Sequence, residues 1–227
     1  MKVIPKNRKD AIMKKYLLYL FDFDYTLVNS EAAILKCFHL TLDKTGWPQR
    51  EDDVIRRTIG LPMLDAVKKI IRTENEQKAR EFLEVYKHEA DRYMTAGTHF
   101  FPHTVETLRQ LREDGAKIGI ISSKTRSRIQ EKFDCDGVPE LIDHIIGSDD
   151  VAAHKPDPEG IQKALAWFDV PAEKVLYTGD SYVDAGAAQR AGVDFAAVTT
   201  GTTTEETFRQ YPHVRIMHDI KELLSLE

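Results

Sequence analysis

Two aspartates, Asp22 and Asp24, stand directly after the apolar run 17–21. A short apolar run bounded by polar residues is typical of a strand that is buried on both faces, as in a parallel sheet. In open α/β sheets, ligands bind beyond the carboxyl ends of the strands. Because neighbouring carboxylates repel each other unless a cation or a shared proton lies between them, the pair indicates a divalent metal such as Mg²⁺. Taken alone, the pair is equally compatible with a strand end that caps a turn.

Three further polar segments lie at or near the ends of later predicted strands. They are Ser122-Ser123-Lys124, the segment 154–158 with Lys155, and the segment 179–184 with Asp180 and Asp184. Because parallel strands end at one edge of their sheet, we expect the aspartate pair, the serines and the last segment to converge. Carboxylates can hold a metal, and hydroxyls with a lysine can hold an anion, as phosphoryl transfer through an aspartyl-phosphate requires. Each serine alone is compatible with a helix N-cap and the lysine with a solvated loop residue, so their joint occurrence carries the prediction.

The predicted elements that position these segments fall into two blocks. The first block, between residues 30 and 95, shows helical periodicity without a strand signal, and its predicted helices are 30–45, 51–57, 63–72 and 76–94. In the second block the predicted strands are 117–121, 142–146, 174–177 and 195–198, and the predicted helices are 105–113, 126–133, 158–168, 182–191 and 218–226. Such alternation of strands and helices indicates βαβ units and a parallel sheet. Since strand 17–21 precedes the helical block, we predict an α/β domain into which an all-helical block is inserted.

Composition and charge limit the classes of partner. The chain has 227 residues, a formal net charge of −5 and no long basic run, so we expect no nucleic-acid partner. No apolar run is long enough to span a membrane or to form a signal peptide, which predicts a cytoplasmic protein without a membrane partner. Cys37 and Cys135 lack metal-ligand spacing and are predicted to be small, buried, apolar side chains in a reducing compartment. Residues 1–12 are polar and lysine-rich and are predicted to be an unstructured appendage.

The four polar segments together resemble the haloacid dehalogenase superfamily. Its phosphatases carry a D-x-D-x-T motif, a Ser or Thr after the second core strand, a lysine and a G-D-x-x-x-D motif, which here are Asp22/Asp24/Thr26, Ser122, Lys155 and Asp180/Asp184. The resemblance extends over nearly the whole chain after Met13. Within the superfamily the chain is similar to the phosphoglycolate-phosphatase-like branch, through Gly60-Leu61-Pro62 and Lys155-Pro156-Asp157-Pro158.

The resemblance implies a fold and a division of the chain. It implies an α/β fold with a Rossmann-like parallel sheet core and an inserted all-helical cap. The core would comprise residues 13–28 plus 97–227, and the cap residues 29–96. Tyr25 stands where many relatives have glycine, which we do not expect to disable the site.

The resemblance also implies roles for individual residues and a requirement for Mg²⁺. Asp22 would be the nucleophile and a metal ligand, and Asp24 the general acid and base that binds metal through its backbone carbonyl. Asp180 would complete the metal site, with Asp184 as a ligand or a support. The phosphoryl group would be held by Ser122 and Lys155, and the predicted phosphate-binding set also includes Thr26 and Ser123. Ser123 stands where many relatives have asparagine.

The expected activity is hydrolysis of a small phosphorylated metabolite by a Mg²⁺-dependent phosphatase, with an aspartyl-phosphate intermediate. The alternatives are a phosphoglycolate phosphatase proper, a pyrophosphatase, a nucleotidase, a β-phosphoglucomutase-like phosphotransferase and a phosphate-binding regulator without turnover. The mutase is disfavoured because the segment 28–34 lacks a histidine, and Asp24 argues against a dehalogenase. His39, Arg56 and Arg57 are candidates to reach the substrate, whose identity the sequence does not specify. We expect a monomer or a homodimer.

Overall fold

A parallel sheet forms the centre of the computed structural model, which describes residues 16–226. The strands are β1 (Leu18–Phe21), β2 (Val28–Asn29), β3 (His99–Phe100), β4 (Lys117–Ile121), β5 (His144–Ile146), β6 (Val175–Gly179), β7 (Asp194–Val198) and β8 (Arg215–Met217). Six of them form one sheet in the order β5-β4-β1-β6-β7-β8, with every neighbouring pair parallel. Strand β1 therefore lies between β4 and β6, and the predicted α/β fold with a Rossmann-like core is confirmed.

The α-helices of the described residues lie between these strands in the chain. They are α1 (Glu31–Thr45), α2 (Asp52–Arg56), α3 (Met63–Ile71), α4 (Glu76–Tyr93), α5 (Thr104–Glu113), α6 (Arg126–Cys135), α7 (Glu159–Phe168), α8 (Tyr182–Ala191) and α9 (Glu205–Phe208). The first eight correspond to predicted helices within a few residues at each end. The first four run in succession between β2 and β3, two strands that pair antiparallel to each other.

Side chains of β1 alternate between the two faces of the sheet. Tyr19 and Phe21 pack with α5, α6 and the last turn of the chain, whereas Leu18 and Leu20 pack with α7 and α8 on the other face. All four side chains are buried. Helices on both faces explain why this strand is an uninterrupted apolar run rather than an alternating one.

Helices α1 to α4 have an apolar core of their own. Phe38 on α1 stacks on Phe82 of α4 with ring centroids 6.2 Å apart, and it meets Tyr86 at 4.5 Å. Aromatic pairs at such distances add to the stability that area burial supplies. This helical block is therefore held together by contacts among its own helices.

The structure departs from the predicted elements in short segments. Strands β2, β3 and β8 and helix α9 have no predicted counterpart, because two to four residues are too few to show a periodic pattern. The predicted C-terminal helix at 218–226 is shorter in the structure, where this segment forms a 3₁₀-helix at Ile220–Ser225. The prediction that both cysteines are buried is wrong for Cys135, which is exposed in the last turn of α6, whereas Cys37 is buried.

The predicted division of the chain stays a prediction, with 13–28 plus 97–227 as core and 29–96 as cap. The predicted appendage at residues 1–12 lies outside the described residues. Within residues 16–226, no helix has both the length and the apolar character that a membrane span requires.

Candidate active site

A tight turn follows β1 and carries Asp22, Asp24 and Thr26. Tyr25, in the middle of this turn, has a φ of 62°, a left-handed conformation that is uncommon for a residue other than glycine. Its side chain is buried, and its hydroxyl donates a hydrogen bond of 2.6 Å to Glu31. Burial of the ring and this hydrogen bond hold the tyrosine in a conformation that glycine adopts without strain.

Three carboxylates converge beyond the ends of β1 and β6: Asp22, Asp180 and Asp184. One oxygen of each lies within 4.8 Å of the other two, and all three residues are buried. The Nζ atom of Lys155 lies between two of them, 2.7 Å from Asp22 Oδ1 and 2.6 Å from Asp184 Oδ1. They meet because β1 and β6 are hydrogen-bonded neighbours in the sheet. The structure thus brings together residues of three of the four polar segments.

Burial and charge shift the pKa values in this cluster. Burial raises the pKa of Asp22 to about 6; Lys155 opposes the shift and the charge of Asp184 adds to it. Burial also raises the pKa of Asp180 well above its usual value, and the charges of Asp184 and Asp22 add to that shift. For Lys155, burial alone would lower the pKa, but the two carboxylates that it contacts outweigh burial and raise it. The cluster therefore holds more negative charge than Lys155 balances.

These carboxylates fit a hard divalent cation. Mg²⁺ prefers oxygen ligands, and a cation here would relieve the repulsion that contributes to the raised pKa values of Asp22 and Asp180. Gly201 leaves space around this site, because a Cβ atom at that position would lie 1.9 Å from Asp180 Oδ2. The donor set and the absence of a side chain at Gly201 thus both suit a metal site.

Both oxygens of Asp184 accept hydrogen bonds from the protein. Oδ1 accepts from Lys155 at 2.6 Å and from the Tyr177 hydroxyl at 2.9 Å, while Oδ2 accepts from the Ser181 amide at 3.0 Å. These contacts suit a supporting role better than a ligating one. Sequence reasoning missed Tyr177, because a tyrosine inside an apolar strand is usually a core residue. Its hydroxyl was the available signal, since a buried tyrosine hydroxyl usually has a polar partner.

Asp24 is held between a serine and a lysine. Ser30 donates to its Oδ1 at 2.6 Å, and Lys124 Nζ lies 3.0 Å from its Oδ2. A serine just before a helix is normally an N-cap, but at the start of α1 it is Asn29 whose side chain accepts from the Glu31 amide, at 3.1 Å. Sequence reasoning missed Ser30 as a site residue for this reason.

The predicted phosphate-binding hydroxyls have different surroundings. Thr26 is buried and donates to Asp180 Oδ1 at 3.2 Å. The Ser122 hydroxyl, also buried, accepts from the backbone amide two residues further on, at 3.3 Å. Ser123 donates to the carbonyl of Gly60 in the helical block at 2.9 Å. Their roles in phosphate binding stay predictions.

A cavity of about 280 Å³ is lined by residues of helices α1, α3 and α4 and by residues near the ends of β1 and β4, and it reaches Asp24. His39, Arg56 and Arg57, the candidate substrate contacts, are not among the residues that line it. Instead, Arg56 pairs with Glu31 at 2.9 Å.

Comparison with known sequences identifies the family. The family model described as haloacid dehalogenase-like hydrolase matches residues 19–198. Pyrophosphatase PpaX of Bacillus cereus is 32% identical over 211 residues, which cover 91% of this chain and 95% of that protein. Pyrophosphatase PpaX of Oceanobacillus iheyensis is 29% identical over 207 residues, which cover 91% of this chain and 94% of that protein.

Comparison with solved structures leads to the same family. A haloacid dehalogenase-like hydrolase from Bacteroides fragilis is 43% identical, with a TM-score of 0.89, and the match covers 92% of this chain and 100% of that one. A predicted phosphoglycolate phosphatase from Haemophilus somnus shares the fold, at 23% identity and a TM-score of 0.84. The match covers 94% of this chain and 98% of that one. The resemblance that the sequence motifs indicated is thus confirmed. The chain belongs to the haloacid dehalogenase-like hydrolase family, as one of its phosphatases.

Proposed function

We propose that this phosphatase depends on Mg²⁺ and hydrolyses a small phosphorylated metabolite through an aspartyl-phosphate. The observation that carries the proposal is the cluster of Asp22, Asp180 and Asp184, in which one oxygen of each lies within 4.8 Å of the other two and Lys155 contacts Asp22 and Asp184. A buried lysine beside a carboxylate nucleophile supplies positive charge where a phosphoryl group is transferred. The arrangement therefore supports attack on phosphorus better than it supports a purely structural ion pair.

In the first step, a carboxylate oxygen of Asp22 attacks phosphorus. A bond forms between that oxygen and phosphorus as the bond between phosphorus and the ester oxygen breaks. Asp24 donates its proton to the departing oxygen, so the product leaves as a neutral alcohol. Lys155 and Ser122 hold the phosphoryl oxygens during this transfer.

In the second step, a water molecule attacks the phosphorus of the aspartyl-phosphate. Asp24, now a carboxylate, takes a proton from this water, and the bond between phosphorus and Asp22 breaks. Inorganic phosphate leaves, and both aspartates return to their starting protonation states. The same side chain thus acts first as the acid and then as the base.

Asp22, Asp180 and the backbone carbonyl of Asp24 are the proposed Mg²⁺ ligands, with Asp184 as their support. When bound, Mg²⁺ supplies a Lewis acid that offsets negative charge on the phosphoryl group. Burial is the main cause of the raised pKa values of Asp22 and Asp180, and the charge of Asp184 adds to both, so a cation between these carboxylates would stabilise their charged forms.

Hydrolysis of pyrophosphate is a second candidate, since the Bacillus cereus relative is named a pyrophosphatase. Phosphoglycolate hydrolysis, nucleotide hydrolysis, transfer between sugar phosphates and phosphate binding without turnover stay alternatives. A panel of pyrophosphate, phosphoglycolate, nucleotides and sugar phosphates, scored by released phosphate, distinguishes the hydrolytic activities from one another, whereas a mutase and a binding protein release none. A cytoplasmic location and a monomeric or homodimeric state also stay predictions.

The test measures phosphate release from p-nitrophenyl phosphate with Mg²⁺ and with excess chelator. We expect turnover only with Mg²⁺, and we expect Asp22→Asn to abolish it, because a neutral amide is a poor nucleophile for phosphorus and a poor metal ligand. Asp65→Asn, at an exposed position of α3, is the matched control and should keep full activity. More than a trace of turnover in a folded Asp22→Asn preparation would contradict the covalent mechanism.

A further inference from the structure

The hydroxyl group of Tyr177 lies in the candidate active site, although the ring belongs to the core of the sheet domain. The side chain comes from β6 and is fully buried. Its oxygen lies 3.2 Å from Lys155 Nζ, 2.9 Å from Asp184 Oδ1 and 3.2 Å from the carbonyl oxygen of Ile121. Ile121 directly precedes Ser122 in the chain. This single hydroxyl therefore contacts or adjoins three of the four polar segments of the site.

The ammonium group of Lys155 is surrounded by four oxygen atoms, one more than its number of N–H donors. Besides the Tyr177 hydroxyl, it contacts Asp22 Oδ1 at 2.7 Å, Asp184 Oδ1 at 2.6 Å and the Ile121 carbonyl at 3.3 Å. An ammonium group has three N–H donors, and a phenol adds one O–H donor. Four protons are therefore available to three acceptors, namely the two carboxylate oxygens and the carbonyl oxygen. One of the four protons is in excess.

The proton of the Tyr177 hydroxyl creates this excess. It can be donated to Asp184 or to the Ile121 carbonyl, but not to both at once. In either case Lys155 has two acceptors left to serve, and its third N–H group can turn to a phosphoryl oxygen. With phenylalanine at position 177, the three N–H groups would serve three acceptors. A phosphoryl oxygen that took one N–H group would then leave a buried acceptor without its donor, which is unfavourable.

We propose that Tyr177 is a positioning residue that frees one N–H group of Lys155 for the phosphoryl group. It acts through Lys155, because its own proton is donated to Asp184 or to Ile121 within the site. The inference rests on the proposed phosphatase function, in which Lys155 holds a phosphoryl oxygen. It assigns to a tyrosine inside an apolar strand a part in binding the group that is transferred.

The first test removes the hydroxyl and keeps the ring. In the presence of Mg²⁺, Tyr177→Phe should raise the inhibition constant of inorganic phosphate, measured against p-nitrophenyl phosphate, by about five- to tenfold, the net effect of one hydrogen bond. Tyr19→Phe is the matched control, because Tyr19 is a buried tyrosine of the neighbouring strand β1 that packs on the opposite face of the sheet. It should keep the wild-type inhibition constant.

The outcomes of this test separate the inference from the proposed function. An unchanged inhibition constant in Tyr177→Phe would overturn the inference and leave the phosphatase in place, whether or not the thermal unfolding midpoint falls. A lower midpoint with an unchanged inhibition constant is the result that a purely structural hydroxyl predicts. No turnover of p-nitrophenyl phosphate by the wild type would overturn the proposed function and the inference together.

The second test separates action through Lys155 from action through the metal site, and its readout is independent of turnover. In Tyr177→Phe, Asp184 still has Lys155 and the Ser181 amide as donors. We therefore expect Mg²⁺ to raise the Tm of this variant as much as that of the wild type, which also shows that the variant is folded. Loss of the rise in Tm would show that the hydroxyl acts on the metal site through Asp184, and it would overturn the assignment to Lys155.

Discussion

Asp24 differs from the other carboxylates of the site in its partners. Its oxygens contact Ser30 and Lys124, whereas Asp22 and Asp184 share Lys155. At the residue scale, the two neighbouring aspartates therefore have different surroundings, and a variant of Asp24 tests its proposed role separately from that of Asp22.

Asp24→Asn should slow phosphoryl transfer from an alkyl phosphate far more than transfer from p-nitrophenyl phosphate. A positioned general acid contributes about 10²–10⁴-fold. This help matters most for a poor leaving group such as an alkoxide, because nitrophenolate leaves without a proton. Rapid-quench measurement of phospho-enzyme formation in a single turnover isolates this step from hydrolysis of the intermediate. Equal losses on the two esters would remove the acid and base role from Asp24.

Asp22 should make the stability of the metal-free protein depend on pH. Burial raises its folded pKa to about 6, compared with about 3.9 in an unfolded chain. The folded state thus binds the proton more tightly, and this contribution is fully present below about pH 4 and lost as the pH rises through about 6. Two pKa units correspond to up to about 3 kcal/mol.

The measurement for this pH prediction is the free energy of unfolding by urea in the presence of chelator. The difference between the wild type and Asp22→Asn isolates this group from the other carboxylates. The value for the wild type minus that for the variant should fall by about 1–3 kcal/mol between about pH 4.5 and 7.5. A difference in unfolding free energy that stays constant over this pH range would show that burial does not raise the pKa of Asp22.

At the element scale, helix α8 places Asp184 in the site, and both of its ends are capped. Ser181 and Asp184 form a capping box at the start, so one carboxylate both caps the helix and contacts Lys155. Gly192 follows the last residue of the helix with a φ of 71°, and its amide donates to carbonyls of the last turn. The position of Asp184 therefore depends on the integrity of this helix.

Gly192→Ala should destabilise the protein by about 1–2 kcal/mol, because an alanine is strained in the left-handed conformation. A Cβ atom added at Gly192 meets no atom within 4 Å, so the backbone alone accounts for the effect. Gly192→Asn should cost less, since asparagine tolerates this conformation better. Urea unfolding of the three proteins gives the comparison, and equal stability of the alanine and glycine proteins would exclude a strained cap.

At the scale of the whole molecule, metal binding should stabilise the fold. A ligand that binds only the native state adds about 2.7 kcal/mol at 100 times its Kd, or about 5–10 °C in Tm for a chain of this size. We expect Mg²⁺ to raise Tm, and Asp180→Asn to remove most of this shift. Asp65→Asn is the control and should keep it. The same Mg²⁺ shift in Asp180→Asn and the wild type would place the metal elsewhere.

Much of the sheet was predictable, because its central strands leave a strong local pattern. Strands β1, β4 and β6 are apolar runs buried between helices, and each is followed by polar residues. Strand β8 and helix α9 were not predictable, since three and four residues are too short to show a period. The order of the strands required the structure, although the βαβ alternation already indicated that they are parallel.

By itself, the sequence predicted that Asp22, Ser122 and Asp180 lie at one edge of the sheet, since each follows a predicted strand and parallel strands end together. The place of Lys155 in the site was implied only by the resemblance to the family. Only the tertiary structure decided which groups these residues and their neighbours contact. The Tyr177 hydroxyl meets Lys155 and Asp184 beyond the end of β6, and Tyr86 is buried among helices α1 to α4, where its hydroxyl has no hydrogen-bond partner among the described residues. The contact between Lys155 and Asp22, 133 residues apart, shows the same dependence on tertiary structure. Such contacts depend on how whole elements pack, which local periodicity does not encode.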